Sequence, residues 1–332
     1  MLAARAGASA SIYVLWRQSG SCSNCWVLTR SHYDLTSLTY SSPPPGIRPV
    51  VGNPTGSVGQ LVFANTSDGM AVEQSSDGSN VLFVTHDAAR TWARWPLPVG
   101  AQLMDLIATP NGFFATERVC QAKPWKCVDT SLLRAGPTAN RWIATPLPEA
   151  HSLGGEIVDV GAWHHDVWIT GGTTTPPFAY LSSSTDDGAT FTTRNEGALM
   201  SIVSCSLEAM SASSLWAQCI GGHAYSLLHS SNAGRSWRTV PTPVPLMAQG
   251  GGFTPVSAAT GYVDFGLTER FYLVSHNGAT LSPRGPSPLA YLYQLLFVGL
   301  DDGLAIGQTS LGANFKAAFT RDGGLHWTSV TS

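Results

Sequence analysis

Two aspartates stand inside short apolar runs, Met104-Asp105-Leu106 and Val158-Asp159-Val160. On a strand, a carboxylate between two large aliphatic residues points to the opposite face from both neighbours. Two such carboxylates facing one another across a cleft are the equipment of glycoside hydrolysis. The same pair also fits a structural role, binding backbone N–H groups or water, because buried polar groups find partners. A second cluster is Trp163-His164-His165-Asp166. Adjacent histidines on a strand point to opposite faces, so one metal ion does not easily take both, and exposed turn residues are the alternative. Trp125, between Lys123 and Lys126, could stack on a sugar or peptide, or simply anchor its loop.

Six cysteines fall in three local pairs, Cys22 with Cys25, Cys120 with Cys127 and Cys205 with Cys219. An even count at short separations suits disulfides and therefore an oxidising, extracytoplasmic or secreted location. A Cys-x-x-Cys redox pair needs a βαβ context, and a zinc site needs a second ligand pair; the sequence shows neither. No metal and no cofactor are expected, since phosphate loop, dinucleotide fingerprint and Ser-His-Asp pattern are all absent. The opening Met1-Leu2-Ala3-Ala4-Arg5 stretch is too short and weakly apolar for an export signal, so the chain as written is expected to lack its natural N-terminus.

These residues need a framework, and repetition supplies it. Thr320-Arg321-Asp322-Gly323-Gly324-Leu325-His326-Trp327 reads as a hairpin turn: the hydroxyl and carboxylate accept stray backbone N–H groups, Gly324 accepts a positive φ, and Trp327 opens the returning strand. The pattern recurs with Asp87 and Trp92, with Asp186 and Phe191, and with Asn232 and Trp237; Ser275-His276-Asn277 is a decayed copy. Leu133-Arg134 followed by Trp142, and Thr29-Arg30-Ser31, hold the same places with less of the pattern. Starts near residues 29, 85, 134, 184, 230, 275 and 320 are spaced by about 45–56 residues, the length of a four-stranded propeller blade.

The turn resembles the Asp-box of BNR-repeat proteins, a loose group of sialidase-like, sortilin-like and photosystem-assembly-factor-like propellers. The resemblance implies an all-β, seven-bladed β-propeller with four-stranded antiparallel blades. It forms one domain over residues 1–332, with units of roughly 1–42, 55–98, 100–148, 155–197, 200–243, 250–288 and 289–332. The first blade is expected to be incomplete, because its inner strand would come from Ala-rich residues 1–8. Cys205 and Cys219 then fall on neighbouring antiparallel strands. Sialidases of this fold use three arginines, a Tyr–Glu pair and an Asp; the nearest string here, Gly46-Ile47-Arg48-Pro49, has its residues in the wrong order. Arg90, Arg94, Arg235, Arg238 and Arg321 stand beside turns, away from an axial pocket.

A net charge of −3 with only three lysines argues against nucleic acid and anionic membranes, and no apolar run is long enough to span a bilayer. The expectation is a monomeric, non-enzymatic scaffold that presents one loop rim to a protein or glycan, with Trp125, Trp163 and His164 as candidate contacts. The alternative is an exo-acting glycoside hydrolase using Asp105 and Asp159.

Overall fold

The computed structural model describes residues 2–5, 11–17, 26–32, 57–74, 80–89, 91–97, 101–121, 126–147, 158–172, 179–194, 204–221, 224–241, 246–247, 252–264, 270–310 and 316–329. Every regular element among them is a strand, and no helix is long and apolar enough to cross a membrane. The chain divides into two compact units, Met1–Glu156 and Ile157–Ser332.

The first unit opens with a three-stranded sheet, Leu2–Arg5, Ser11–Arg17 and Trp26–His32. Two four-stranded meanders follow. One is Ser57–Phe63, Gly69–Gln74, Asn80–Thr85 and Ala93–Trp95; the other is Ala101–Thr109, Gly112–Gln121, Lys126–Ala135 and Ile143–Pro146. The second unit holds four more. These are Val158–Trp163 to Thr192–Arg194, Ser204–Ala209 to Arg238–Thr239, Gly252–Ser257 to Thr280–Pro286, and Tyr291–Phe297 to Thr328–Ser329. Neighbouring strands are antiparallel and follow chain order; Leu246–Met247 adds to the strand Ala224–Ser230.

Among the described residues six sheets therefore contain a four-stranded meander, one of them extended by Leu246–Met247, where seven were expected. The opening sheet differs from expectation in two ways. Leu2–Arg5 does pair with Ser11–Arg17 despite its alanines, so the inner strand exists. The fourth strand is what the described residues lack. Ser31 and Tyr33 stand where the repeated turn has its acid and its glycine, and Pro43-Pro44-Pro45, which cannot donate to a ladder, lies in the connection outside the described residues.

Apolar layers form between consecutive sheets within each unit. Met70, Leu82 and Val84 meet Leu103, Leu106 and Phe113. Trp168 and Leu181 meet Leu207, Leu215 and Leu228. Trp216, Leu227 and Val240 meet Val263 and Val274, and Tyr262 and Phe271 meet Leu292, Leu295 and Phe297. Strands covered on both faces need near-continuous apolar runs, as Gly303–Gln308 shows with every residue buried. Five outermost strands are only two to four residues long, and a longer one, Thr280–Pro286, carries Pro283 and Pro286. Both devices blunt edge pairing.

The repeated turn pins four of the sheets internally. The first hydroxyl accepts the N–H four residues on: Thr85 from Ala89, Ser184 from Gly188, Ser230 from Gly234 and Thr320 from Gly324, at 2.9–3.0 Å. The acid or amide two residues on accepts the N–H four residues further: Asp87 from Thr91, Asp186 from Thr190, Asn232 from Ser236 and Asp322 from His326, at 2.8–2.9 Å. Its other side-chain atom engages that same residue's side chain. The residue after the acid reaches back to the first hairpin of its sheet, as Ala88 N–H does to the Ser67 carbonyl and Gly323 N–H to that of Asp301. The aromatic closing the turn wedges into an apolar layer: Trp327 lies edge-on to Phe271 and Phe297, and Trp92 to Phe63. Trp142 takes the equivalent place in its sheet, stacked on Trp95 at 5.3 Å.

Candidate functional site

In the second unit the inner strands Val158–Trp163 and Ser204–Ala209 lie side by side. Alternation decides what each shows. Cys205 and Leu207 are buried in the layer between sheets, so Ser206 and Glu208 point the other way, towards solvent. Asp159 also leaves that layer, and its Oδ1 accepts the Leu207 N–H at 3.3 Å. Ser206 adds a side-chain hydrogen bond to the same carboxylate. The strand Ser204–Ala209 is fixed from two further directions. Cys205 is disulfide-bonded to Cys219, its direct register partner on Leu215–Gly221, and Thr170 Oγ1 donates to the Cys205 carbonyl at 2.9 Å.

The result is a pair of carboxyl groups, Asp159 and Glu208, on adjacent rigid strands. Burial, reinforced by the charge of Glu208, pushes Asp159 up to about 7, against the pull of its hydrogen bonds. Crowding by protein atoms pushes Glu208 up to about 7 as well. Glu208 also keeps part of its side chain open to solvent. Near neutrality the pair can hold a proton. Such an arrangement can present one negative charge to a cationic group, or act as acid and base.

Asp105 lies in the first unit and is displayed by a β-bulge between Leu103 and Leu106. The carbonyls that the bulge strands are taken up by side-chain amides: Gln60 Nε2 donates to Met104 O at 2.9 Å, and Asn80 Nδ2 to Leu103 O at 2.8 Å. The Asp105 N–H donates to Thr116 Oγ1 at 3.3 Å. The carboxyl that the structure places beside Asp159 is thus Glu208, which the sequence reading missed. Its signal was present in the alternation Cys205-Ser206-Leu207-Glu208, in step with Val158-Asp159-Val160 on the preceding inner strand.

Trp163 and His164 sit in the first hairpin of their sheet, ring centroids 5.1 Å apart, with His164 exposed at φ +54°. His165 faces away from them, and its Nδ1 lies 3.0 Å from both carboxylate oxygens of Asp187 in the repeated turn. The two histidines therefore do not converge, and among the described residues no group of three metal-ligating side chains forms. Trp125, Cys22 and Cys25 lie outside the described residues. Cys120 and Cys127 occupy directly opposed register positions. Asn277 departs from the other acids of the repeat: its own N–H reaches the Ala259 carbonyl.

One buried Ser–His contact was not anticipated. Ser214 Oγ lies 3.1 Å from His229 Nε2, and both approach the Ala258 carbonyl of the next sheet. A carbonyl 2.9 Å from Nε2 requires the proton on that nitrogen. The imidazole then has no lone pair there with which to activate Ser214, so the contact ties two sheets together and is not a nucleophile. Burial holds His229 below the usual histidine range.

Solved structures align over most of this chain. YCF48 from Cyanidioschyzon merolae matches at 13% identity over 82% of this chain and 84% of its own, with a TM-score of 0.57. YCF48 bound to a D1 peptide matches at 15% identity over 96% and 88%, with a TM-score of 0.54. A puromycin hydrolase matches at 12% identity over 99% of this chain and 53% of its own, with a TM-score of 0.63. The fold is a β-propeller. Likeness at such identities speaks to the propeller architecture alone. No protein-family model matches the sequence, and no curated protein matches it by sequence.

Proposed function

We propose that this chain is a non-enzymatic scaffold of the Asp-box propeller type that binds a protein segment through one rim of its blades. The observation that carries the reading is the position of Asp159. This carboxylate, the candidate for hydrolysis, is occupied as a staple, accepting the Leu207 N–H and a Ser206 hydrogen bond from the adjacent inner strand. A scaffold needs rigid inner strands, and the disulfide, Thr170 and Asp159 all serve that end. Likeness to YCF48, one structure of which holds a D1 peptide, supports a peptide as ligand. The buried Cys205–Cys219 bridge supports an extracytoplasmic location. Trp163 and His164 are proposed contacts on the turn side, and Trp125, outside the described residues, is proposed as a third.

The test is a peptide-array and pull-down experiment with the full chain, alongside glycoside turnover. Saturable peptide binding without turnover supports the reading; turnover without peptide binding sinks it. A second reading, an exo-acting glycoside hydrolase, is favoured by the raised Asp159–Glu208 pair and not by Asp105. It requires that Glu208→Gln abolish a measurable hydrolysis while leaving the melting transition in place.

A further inference from the structure

The turn between Arg270–Ser275 and Thr280–Pro286 differs chemically from its relatives. Asp87, Asp186, Asn232 and Asp322 all have their side chains engaged by the residue four positions on. Asn277 is exposed, and its side-chain amide makes no hydrogen bond among the described residues. Three consecutive residues, His276, Asn277 and Gly278, have positive φ, at 54°, 56° and 80°. The turn closes through Ala279 N–H to the His276 carbonyl, and the Asn277 N–H is used on Ala259. The N–H of Gly278 is left without an acceptor among the described residues. With no side chain at Gly278, nothing on that residue shields its nitrogen from the Asn277 amide.

We propose that Asn277–Gly278 is a site of spontaneous covalent modification, in which the Gly278 backbone nitrogen displaces ammonia from the Asn277 side chain. The bond from Gly278 N to Asn277 Cγ forms and the Cγ–Nδ2 bond breaks. The proton lost from Gly278 N leaves with the ammonia, and a five-membered imide remains. Water then opens the imide at either carbonyl. Opening at Cγ gives aspartate in a normal backbone. Opening at the backbone carbonyl leaves Gly278 attached through Cγ, an isoaspartyl link with one extra carbon in the main chain. Either product adds a carboxylate to an exposed turn, and the second lengthens the segment that the Asn277 N–H holds against Ala259.

The sequence supplies its own control. The other Asn-Gly pair, Asn111-Gly112, lies in a hairpin where Gly112 is in register with Thr109, and Asn111 is itself partnered. The experiment is to age the folded full chain in mildly alkaline buffer and follow both sites by peptide mapping with an isoaspartyl methylation assay. The expected result is loss of the Asn277 amide ahead of that of Asn111, with aspartyl and isoaspartyl products together, and no isoaspartyl product in that segment of Asn277→Gln. Retention of the Asn277 amide while Asn111 converts would overturn the proposal. So would conversion to aspartate with no isoaspartyl product, which indicates direct hydrolysis.

Discussion

The residue scale is governed by carboxylates with opposite fates. Asp322 accepts the His326 N–H and pairs with the His326 ring at 2.7 Å, and these bonds hold it down at about 2. Its contribution to stability is present above the ordinary aspartate value of 3.8 and is lost as the pH falls towards about 2. Asp159 and Glu208 run the other way. Their raised values favour the protonated form in the fold, so stability is fully present below their ordinary values of 3.8 and 4.5 and is lost as the pH rises towards about 7. Thermal melts across that window should show Asp159→Asn or Glu208→Gln flattening the decline; an unchanged slope in both would remove the pair from the account. Asp322→Ala should cost about 1 kcal/mol through lost turn hydrogen bonds, measured by denaturant titration, and leave ligand binding intact.

At the scale of elements, glycine and the disulfide set what each turn and strand can tolerate. A Cβ on Gly324 would lie 2.2 Å from Phe271 of the preceding sheet, at a φ of +82°. Gly324→Ala should therefore destabilise by more than about 2 kcal/mol, from left-handed backbone strain and overpacking together. The Cys205–Cys219 bridge closes a separation of 14 residues, and replacing both cysteines by alanine should cost about 3 kcal/mol. Its effect should also reach Glu208, three residues along the clamped strand, as a change in that carboxyl's titration by NMR. The repeated turns were legible in the sequence because Thr320, Asp322, Gly324 and Trp327 act on atoms within their own hairpin. So was the Cys205–Cys219 bridge, from strand order alone. The Asp159–Glu208 pair was legible only in part: alternation around Glu208 shows the face it takes, but which carboxyl of the neighbouring sheet it meets depends on the register between sheets, which no local pattern encodes. The turn at Asn277, a decayed copy in the sequence, is shorter than its relatives: Ser275 pairs with Thr280, and the N–H that reaches the preceding hairpin is that of Asn277 itself.

For the whole molecule, repetition made the propeller readable and the count of blades harder. Six units carry a complete meander, and the first contributes three strands among the described residues. Turn chemistry and blade completeness do not track one another strictly: the sheet ending in Ile143–Pro146 is a complete meander although its turn keeps only part of the pattern. Function was less legible still. The residues that match the repeat best, such as Asp322 and Trp327, spend their side chains inside the fold, while the inner-strand carboxyls divide between bulge, staple and solvent. The central claim, a binding scaffold in which Asp159 braces the inner strands, is tested most directly by a peptide array probed with the full chain. Saturable binding to a subset of peptides, retained in Asp322→Ala, is the predicted result. Failure to bind any peptide, with Glu208-dependent release of sugar from a glycoside panel, would contradict it.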